Sequence, residues 1–329
     1  MSKQRIPVIA NCPGTLAIGH DTFSRTALKR MFDGKTVSHI LPYTSAFTEG
    51  PTATLFEANR QRLSISGVQD KFSVLLDKNK LRLIEPGERG QYILKPVPRF
   101  GKNADQLPAN EHLTMQIARQ VFGIETAENA LLFFQNGTPA YLTKRFDVRS
   151  DGTRWAQEDF ASLAGLRPQT HGENYKYAGT YHGFFVLLKK YLPAYAVEAP
   201  KLLRLLVFNF LFSNGDAHFK NFSIIETSLG DFKLSPAYDL LNSRMHFADR
   251  DFALEGLLPP QFAKGKVKDQ FLTLGQMAGI PDKLLAKILT DLTTHEAEVK
   301  ALISQSYLTE RFKRNYLQAY LTRLAKLTR

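Results

Sequence analysis

The run Leu202-Leu203-Arg204-Leu205-Leu206-Val207-Phe208-Asn209-Phe210-Leu211-Phe212 leads, through Ser213, into Asn214-Gly215-Asp216-Ala217-His218-Phe219-Lys220-Asn221. The first stretch is apolar nearly all round and predicts a buried helix over Ala199 to Phe212. Beyond the second, Phe222 to Ile225 and Asp231 to Leu234 read as a short strand pair. The polar octet between them is therefore a loop projecting from a rigid base. Asp216, four residues, then Asn221 is the spacing of a phosphotransferase catalytic loop. In such a loop the Asp accepts or orients the proton of an attacking hydroxyl, and the Asn oxygen reaches a metal bound to the nucleotide. A hard cation such as Mg²⁺ prefers oxygen ligands and calls for a second carboxylate. Asp239, in Ser235-Pro236-Ala237-Tyr238-Asp239, supplies it. The same spacing also suits an Asx turn, because acids and amides crowd turns. His218 reads as a hydrogen-bonding residue of the loop rather than a base. Lys220 reads either as a charge for phosphate or as a solvated lysine.

Upstream the pattern is β-rich. Lys71 to Leu76, Leu81 to Ile84 and Gln91 to Lys95 are separated by Asp77-Lys78-Asn79-Lys80 and Pro86-Gly87-Glu88-Arg89-Gly90, which predicts an antiparallel meander. A helix follows with Asn110 as N-cap and Gly123 as its stop. Ala130 to Phe134 and Ala140 to Thr143 read as two more strands, and Arg25 to Met31 as a short early helix. Downstream, helices are expected over Gln157 to Ala164, Tyr181 to Leu192, and from Lys268 to the end, with Pro281 in a first turn. The boundary between the two halves falls near 148–152. Lys95 ends its strand before a proline, where it either faces a cleft as a point charge for phosphates or is an ordinary edge lysine. Glu111 pairs with it or favours the helix dipole. Leu63 to Lys71, with Ser64, Ser66 and Gly67, enters the first strand as a loop whose backbone N–H groups can face phosphates. It is not a Walker loop. A phosphate on either serine adds about −1.5 to −2 charges and repels the phosphates of a nucleotide bound beside it.

A chain of 329 residues with 43 % apolar content suits two lobes with a sizeable core and argues against disorder. One cysteine excludes an internal disulfide framework and suits a reducing compartment, so the cytoplasm is the expected location. No stretch reaches the roughly 20 apolar residues of a membrane span, and the first residues lack the apolar core of a signal peptide. A net charge of +12 fits polyanionic partners or a generally basic surface. The last stretch carries Arg311, Lys313, Arg314, Arg323, Lys326 and Arg329 around Tyr316, Leu317, Tyr320, Leu321 and Leu324. It predicts a basic-faced amphipathic helix, for packing or for nucleic acid.

Seven blocks in order resemble the HipA-type serine/threonine kinases of bacterial toxin–antitoxin systems. They are Ser64-Ile65-Ser66-Gly67-Val68-Gln69-Asp70-Lys71, Ile93-Leu94-Lys95-Pro96, Asn110-Glu111, Lys144-Arg145-Phe146-Asp147, Gln157-Glu158-Asp159, Gly215 to Ser223, and Pro236-Ala237-Tyr238-Asp239. The resemblance implies an α+β, two-lobed protein-kinase-like fold: a short N-terminal segment over 1–62, a β-rich lobe with the phosphate-binding loop over 63–150, and a helical lobe over 151–329. It implies ATP and Mg²⁺ as cofactors. Asp216 is then the catalytic base, and Asn221 with Asp239 holds Mg²⁺. ATP is met by Lys95, by the loop Ser66, Gly67, Val68, Gln69, Asp70 and Lys71, by His218 and Lys220, and by a hinge from Lys144 to Phe146. Ser64 aligns with the family's autophosphorylated serine. Ser66 is the additional serine of the short HipT-like branch, a reading also favoured by the roughly 60 residues before the loop. Lys144 stands where founding members have an acid, so adenine recognition rests on backbone there.

The implied activity is phosphorylation of an aminoacyl-tRNA synthetase, tryptophanyl in the HipT-like branch and glutamyl in longer toxins. The implied partners are a DNA-binding HipB-like antitoxin, a small HipS-like protein, and operator DNA through the complex. Two other classes share parts of the pattern. An aminoglycoside-type small-molecule kinase has a similar Gly-Asp-x-His-x-x-Asn loop, but its cationic substrates call for an acidic pocket. A non-catalytic corepressor would not need Lys95, Asp216, Asn221 and Asp239 together.

Overall fold

The computed structural model describes residues 8–45, 56, 69–247 and 250–328. The chain divides into two compact units. The first takes Met1–Gln116, Ala127–Gly152 and Ala301–Lys313; the second takes Ile117–Thr126, Thr153–Lys300 and Arg314–Arg329.

The first unit is built on β1 (Phe72–Asp77), β2 (Lys80–Leu83), β3 (Tyr92–Pro96), β4 (Asn129–Phe133) and β5 (Pro139–Lys144). Their order in the sheet is β2-β1-β3-β5-β4, antiparallel throughout. The first three strands are therefore not the expected meander, because β1 lies between β2 and β3. The turn residues from Pro86 to Gly90 do bend the chain, with Gly87 at φ +89°. The connection then carries β3 to the far edge of β1, where the Gln91 N–H donates to Val74 O at 2.9 Å. Turn chemistry fixes the bend and leaves the choice of edge to packing.

Strand alternation separates two faces. Phe72, Val74, Leu81, Leu83, Tyr92, Leu94, Ala130, Leu132, Ala140 and Leu142 line one face and are buried with Ala27, Met31 and Phe32. Those three residues come from α1 (Arg25–Phe32), which Ser24 caps by accepting from the Ala27 N–H. The Tyr92 hydroxyl donates to Met31 O at 2.8 Å and ties helix to sheet. The segment before and after α1 also covers the β4 edge: the Leu131 N–H donates to Pro13 O and the Phe133 N–H to His39 O. An otherwise open row of strand donors is thus satisfied. Lys95 belongs to the opposite face, beside α2 (Leu107–Gln120).

Asn110 does not cap α2. A 3₁₀ turn, Ala104–Gln106, feeds the helix directly, Pro108 sits in its first turn where a missing N–H is tolerated, and Asn110 is interior and fully buried. Its carbonyl accepts from Thr114 Oγ1 at 2.9 Å. At the other end Gly123 does stop the helix, at φ +61°, with the Gly123 N–H donating to Arg119 O and the Ile124 N–H to Ala118 O.

Next to Asn110, His112 is fully buried, and burial pushes its imidazole down to about 3 against a hydrogen bond to the Gly14 backbone. A histidine neutral in the folded state and protonated when unfolded below about 6.5 loses stability as pH falls from 6.5 toward 3, at about 1.4 kcal/mol per pH unit. Urea midpoints of wild type should therefore fall faster than those of His112→Gln between pH 6.5 and 4.5, and run parallel above pH 7. Parallel curves throughout would contradict a neutral, sequestered His112.

The second unit contains a three-stranded antiparallel sheet, β6 (Gln157–Asp159), β7 (Ser223–Glu226) and β8 (Phe232–Leu234), in that order. The same unit holds α3 (Phe160–Leu163), α4 (Pro168–His171), α5 (His182–Tyr191), α6 (Tyr195–Leu211), α7 (Val267–Met277) and α8 (Asp282–Thr293). The expected helix from Gln157 is a strand for its first three residues, because Gln157 to Asp159 pair with Ile225 to Ser223. Asp159 then caps α3 through the Ser162 N–H. Gly165 follows at φ +70°. α6 is the buried helix of the opening motif, and it begins earlier than expected, with Pro200 inside it. Glu198 in its first turn is buried and accepts from Lys201 Nζ at 2.7 Å and from the Leu234 N–H at 3.1 Å, tying α6 to β8. Pro281 caps α8 from the position just before it.

α9 (Glu296–Gln305) and α10 (Glu310–Thr328) complete the chain. On α10, Tyr316 and Tyr320 pack their rings on Phe212. Arg323 does not belong to a basic face. It is fully buried, over the Phe210 ring at 4.6 Å and 2.6 Å from Asp251 Oδ1. Arg311, Arg314 and Lys326 remain exposed. Among the described residues no helix is long and apolar enough to cross a membrane.

Candidate functional site

In the second unit, α6 delivers the chain into Ser213 to Asn221, and the loop is held from several directions. Ser213 takes the left-handed conformation at φ 54°. The Ser243 hydroxyl donates to Ser213 O at 3.0 Å and accepts from the Gly215 N–H at 2.8 Å. Arg323 Nε donates to Ser213 Oγ at 3.3 Å, and the Tyr181 hydroxyl to Ala217 O at 2.8 Å. Phe219 and Phe222 pack on Phe184, with centroids 4.6 and 4.8 Å away, so the loop's apolar residues anchor it from below. A loop pinned in this way presents its polar side chains in one geometry.

Asp216 is half-exposed, and its Oδ1 accepts from the Tyr177 hydroxyl at 2.7 Å. His218 Nε2 lies 4.0 Å from the same oxygen. Burial, with the nearby charges of Lys176 and Lys220, pushes the His218 imidazole down to about 3, so it is neutral at physiological pH. This suits the reading of His218 as a fixed member of the loop. The Asn221 Oδ1 accepts from the His218 backbone N–H at 3.1 Å, and its Nδ2 donates to Asp239 Oδ2 at 3.3 Å. Asp239 has left-handed backbone at φ 55°, which Asp tolerates better than most residues. Its segment is fixed by the Ala237 N–H donating to Glu125 O at 2.8 Å, and by the Tyr238 hydroxyl donating to Lys220 O at 3.0 Å. Asp216, His218, Asn221 and Asp239 are thus one constellation, with the Lys220 charge near enough to act on His218. Among the described residues no group of three or more His, Cys, Asp and Glu forms a self-sufficient metal cage. An amide and a carboxylate side by side make an open set of oxygen donors.

In the first unit, Lys95 Nζ is 2.6 Å from Glu111 Oε1, with both side chains almost fully buried, and lies 5.3 Å from the centre of the Tyr141 ring. The register that sets Lys95 opposite Tyr141 on β5 accounts for the second contact. Gln69 Nε2 donates to Pro96 O at 3.4 Å, and Asp70 and Lys71 lead into β1. Lys144 ends β5 with its Nζ 2.7 Å from Asp33 Oδ1, and its neighbour Arg145 forks onto Asp147 at 2.9 and 2.7 Å. Phe146 is partly exposed. Ser64, Ser66, Gly67 and Val68 lie outside the described residues.

The sequence pattern gave no role at this loop to Tyr177, Tyr181 or Ser243, and placed the buried Arg323 on a basic helix face instead. Tyr238 stood in a quoted block without a role, although its hydroxyl joins Lys220 O to Ser223 Oγ. Each acts through a partner distant in the chain.

Residues 63–301 match a family described as HipA-like C-terminal domain. A Sinorhizobium fredii protein named "Putative kinase Y4mE" is 31 % identical over 252 residues, 74 % of this chain and 57 % of its own length. A Haemophilus influenzae protein with the same designation, lacking the Y4mE suffix, is 25 % identical over 327 residues, 93 % of this chain and 92 % of its own. The chain therefore spans little more than half of the first relative and nearly all of the second. Among solved structures, HipA from Shewanella oneidensis, in complex with HipB and its operator DNA, matches with a TM-score of 0.59 at 20 % identity, covering 85 % of this chain and 66 % of that one. The Helicobacter pylori proinflammatory kinase CtkA matches with a TM-score of 0.52 at 13 % identity, covering 77 % and 92 %. The fold is thus the α+β, kinase-like one.

Proposed function

The chain belongs to the HipA-like C-terminal domain family, and from that premise we propose that it is an ATP- and Mg²⁺-dependent serine/threonine protein kinase, the toxin of a bacterial toxin–antitoxin system. The observation that carries the reading is the Asp216 loop: a half-exposed carboxylate already hydrogen-bonded to a hydroxyl, five residues before an amide that touches a second carboxylate. Asp216 serves as the base that takes the acceptor's proton. Asn221 and Asp239 would hold Mg²⁺. Their donors are the hard oxygens that ion prefers, and the Asn221 amide now offers Asp239 the positive partner a cation would offer. When bound, the ion neutralises charge developing on the phosphoryl oxygens. Lys95, the loop from Ser66 to Lys71, the backbone from Lys144 to Phe146, His218 and Lys220 would bind ATP. Glu111 fixes the Lys95 ammonium.

The second serine, Ser66, supports the HipT-like branch and with it tryptophanyl-tRNA synthetase as the target in preference to glutamyl-tRNA synthetase. A HipB-like antitoxin, a HipS-like protein and operator DNA through the complex are the partners of this reading, with the cytoplasm as its location. The +12 charge suits a target or assembly that carries nucleic acid.

The test is transfer of labelled γ-phosphate to each purified synthetase. Label on the tryptophanyl enzyme, abolished by EDTA, is expected. Label on neither synthetase, nor on the protein itself, would overturn the kinase reading. For regulation, Ser64→Ala with Ser66→Ala should abolish self-labelling, because it removes both acceptor hydroxyls of the loop. Undiminished self-labelling in the double variant would place the modified residue elsewhere.

A further inference from the structure

The contact between Tyr177 and Asp216 has a chemistry of its own. Tyr177 ends a 3₁₀ turn, Tyr175–Tyr177, within a stretch from Gly165 to Gly179 whose only other regular element is the four-residue α4. Most of 167–174 is exposed, and the stretch contains Gly165 at φ +70°, Gly172 at φ +74° and Gly179 at φ +93°. Its downstream end is fastened: Gly179 exchanges hydrogen bonds with Glu255, and Thr180 bridges to Gly256. In between, Tyr177 turns inward. Its ring meets His218 edge-on at 5.1 Å, and its hydroxyl donates to Asp216 Oδ1 at 2.7 Å.

A hydroxyl donating at that distance to the carboxylate is what a general base needs of its acceptor. We infer that Tyr177 occupies the acceptor position at Asp216, and that 165–179 is an internal pseudo-acceptor strap which a hydroxyl-bearing protein segment must displace. The inference rests on the kinase reading of Asp216 and concerns what fills its acceptor position. The occupant now in place is a side-chain hydroxyl delivered by a turn of the chain itself, so the position admits a hydroxyl carried on polypeptide. The His218 ring supports the phenol by edge contact. The strap is suited to leaving, since its exposed backbone buries little apolar surface.

Tyr177→Phe keeps the ring on His218 and removes only the hydroxyl. Hydrogen exchange across 166–178 should quicken, and acceptor-free ATP hydrolysis, in which water reaches the base, should rise by about threefold to tenfold, the range expected for losing one hydrogen bond that holds a closed state. KM for ATP should not change. Unchanged exchange together with a fall in kcat would overturn the inference and make Tyr177 a residue that merely orients Asp216. Hydrolysis by wild type that does not increase in Tyr177→Phe would likewise overturn it, with the kinase reading intact. Absence of labelled phosphate transfer by wild type, to either synthetase and to the protein itself, would instead overturn the kinase reading, and the acceptor assignment with it.

Discussion

Asp216→Asn is expected to abolish phosphate transfer, by about 10³-fold or more, while leaving the protein folded. The variant removes the proton-accepting charge and little else. Asparagine keeps an oxygen for the Tyr177 hydroxyl, and the loop's anchors, Ser243, Tyr181, Arg323 and Phe184, do not involve the carboxylate. Because Asp216 is half-exposed, the change in stability should stay within about 0.5 kcal/mol, as for surface substitutions generally. Growth after induced expression reads the same chemistry in cells: wild type should arrest it and the variant should not. Equal arrest by both would rule out phosphate transfer as the toxic act and leave a binding role. Retained transfer in vitro would assign the base elsewhere. A neutral His218 is a poor substitute, since it is already held by burial beside two lysines and stands 4.0 Å from the carboxylate it would have to replace.

The sequence made this loop legible because the information is local. A buried run, a polar octet and a strand pair follow one another without interruption, and the structure keeps them in that order as α6, the loop, β7 and β8. Asp239 is reached by a short hairpin, so its meeting with Asn221 is also nearly local. What was not legible depends on distant partners. Tyr177 lies 39 residues before Asp216, Ser243 lies 28 beyond Gly215, and Arg323 lies 110 beyond Ser213. No spacing rule connects such pairs. Arg323 shows the cost of reading charge without depth: among helical basic residues it looked like part of a solvated face, yet Asp251 and the Phe210 ring hold its charge inside. The strand order failed for a similar reason, since Gly87 turns the chain without choosing between two edges of β1. At Asn110, a good capping residue lost to the 3₁₀ turn that had already begun the helix.

Lys95→Met should carry the largest stability cost of any single change at the candidate nucleotide site. Lys95 and Glu111 are almost fully buried and 2.6 Å apart, and breaking such a pair from one side costs about 3–5 kcal/mol because the remaining charge keeps its desolvation without its counter-charge. Urea denaturation should show this as a lowered midpoint with an unchanged slope. Replacing both members, Lys95→Met with Glu111→Leu, should recover most of the loss, since apolar side chains of similar volume are often as stable as the buried pair they replace. The second variant also separates folding from function. If the ammonium is retained for ATP phosphates, the double variant folds like wild type yet binds ATP at least about tenfold more weakly, the loss of one charge-assisted contact. Wild-type affinity in the double variant would make the pair a structural strut between β3 and α2 alone. A single variant as stable as its parent would show that water already reaches Glu111 and that the pair is not sequestered.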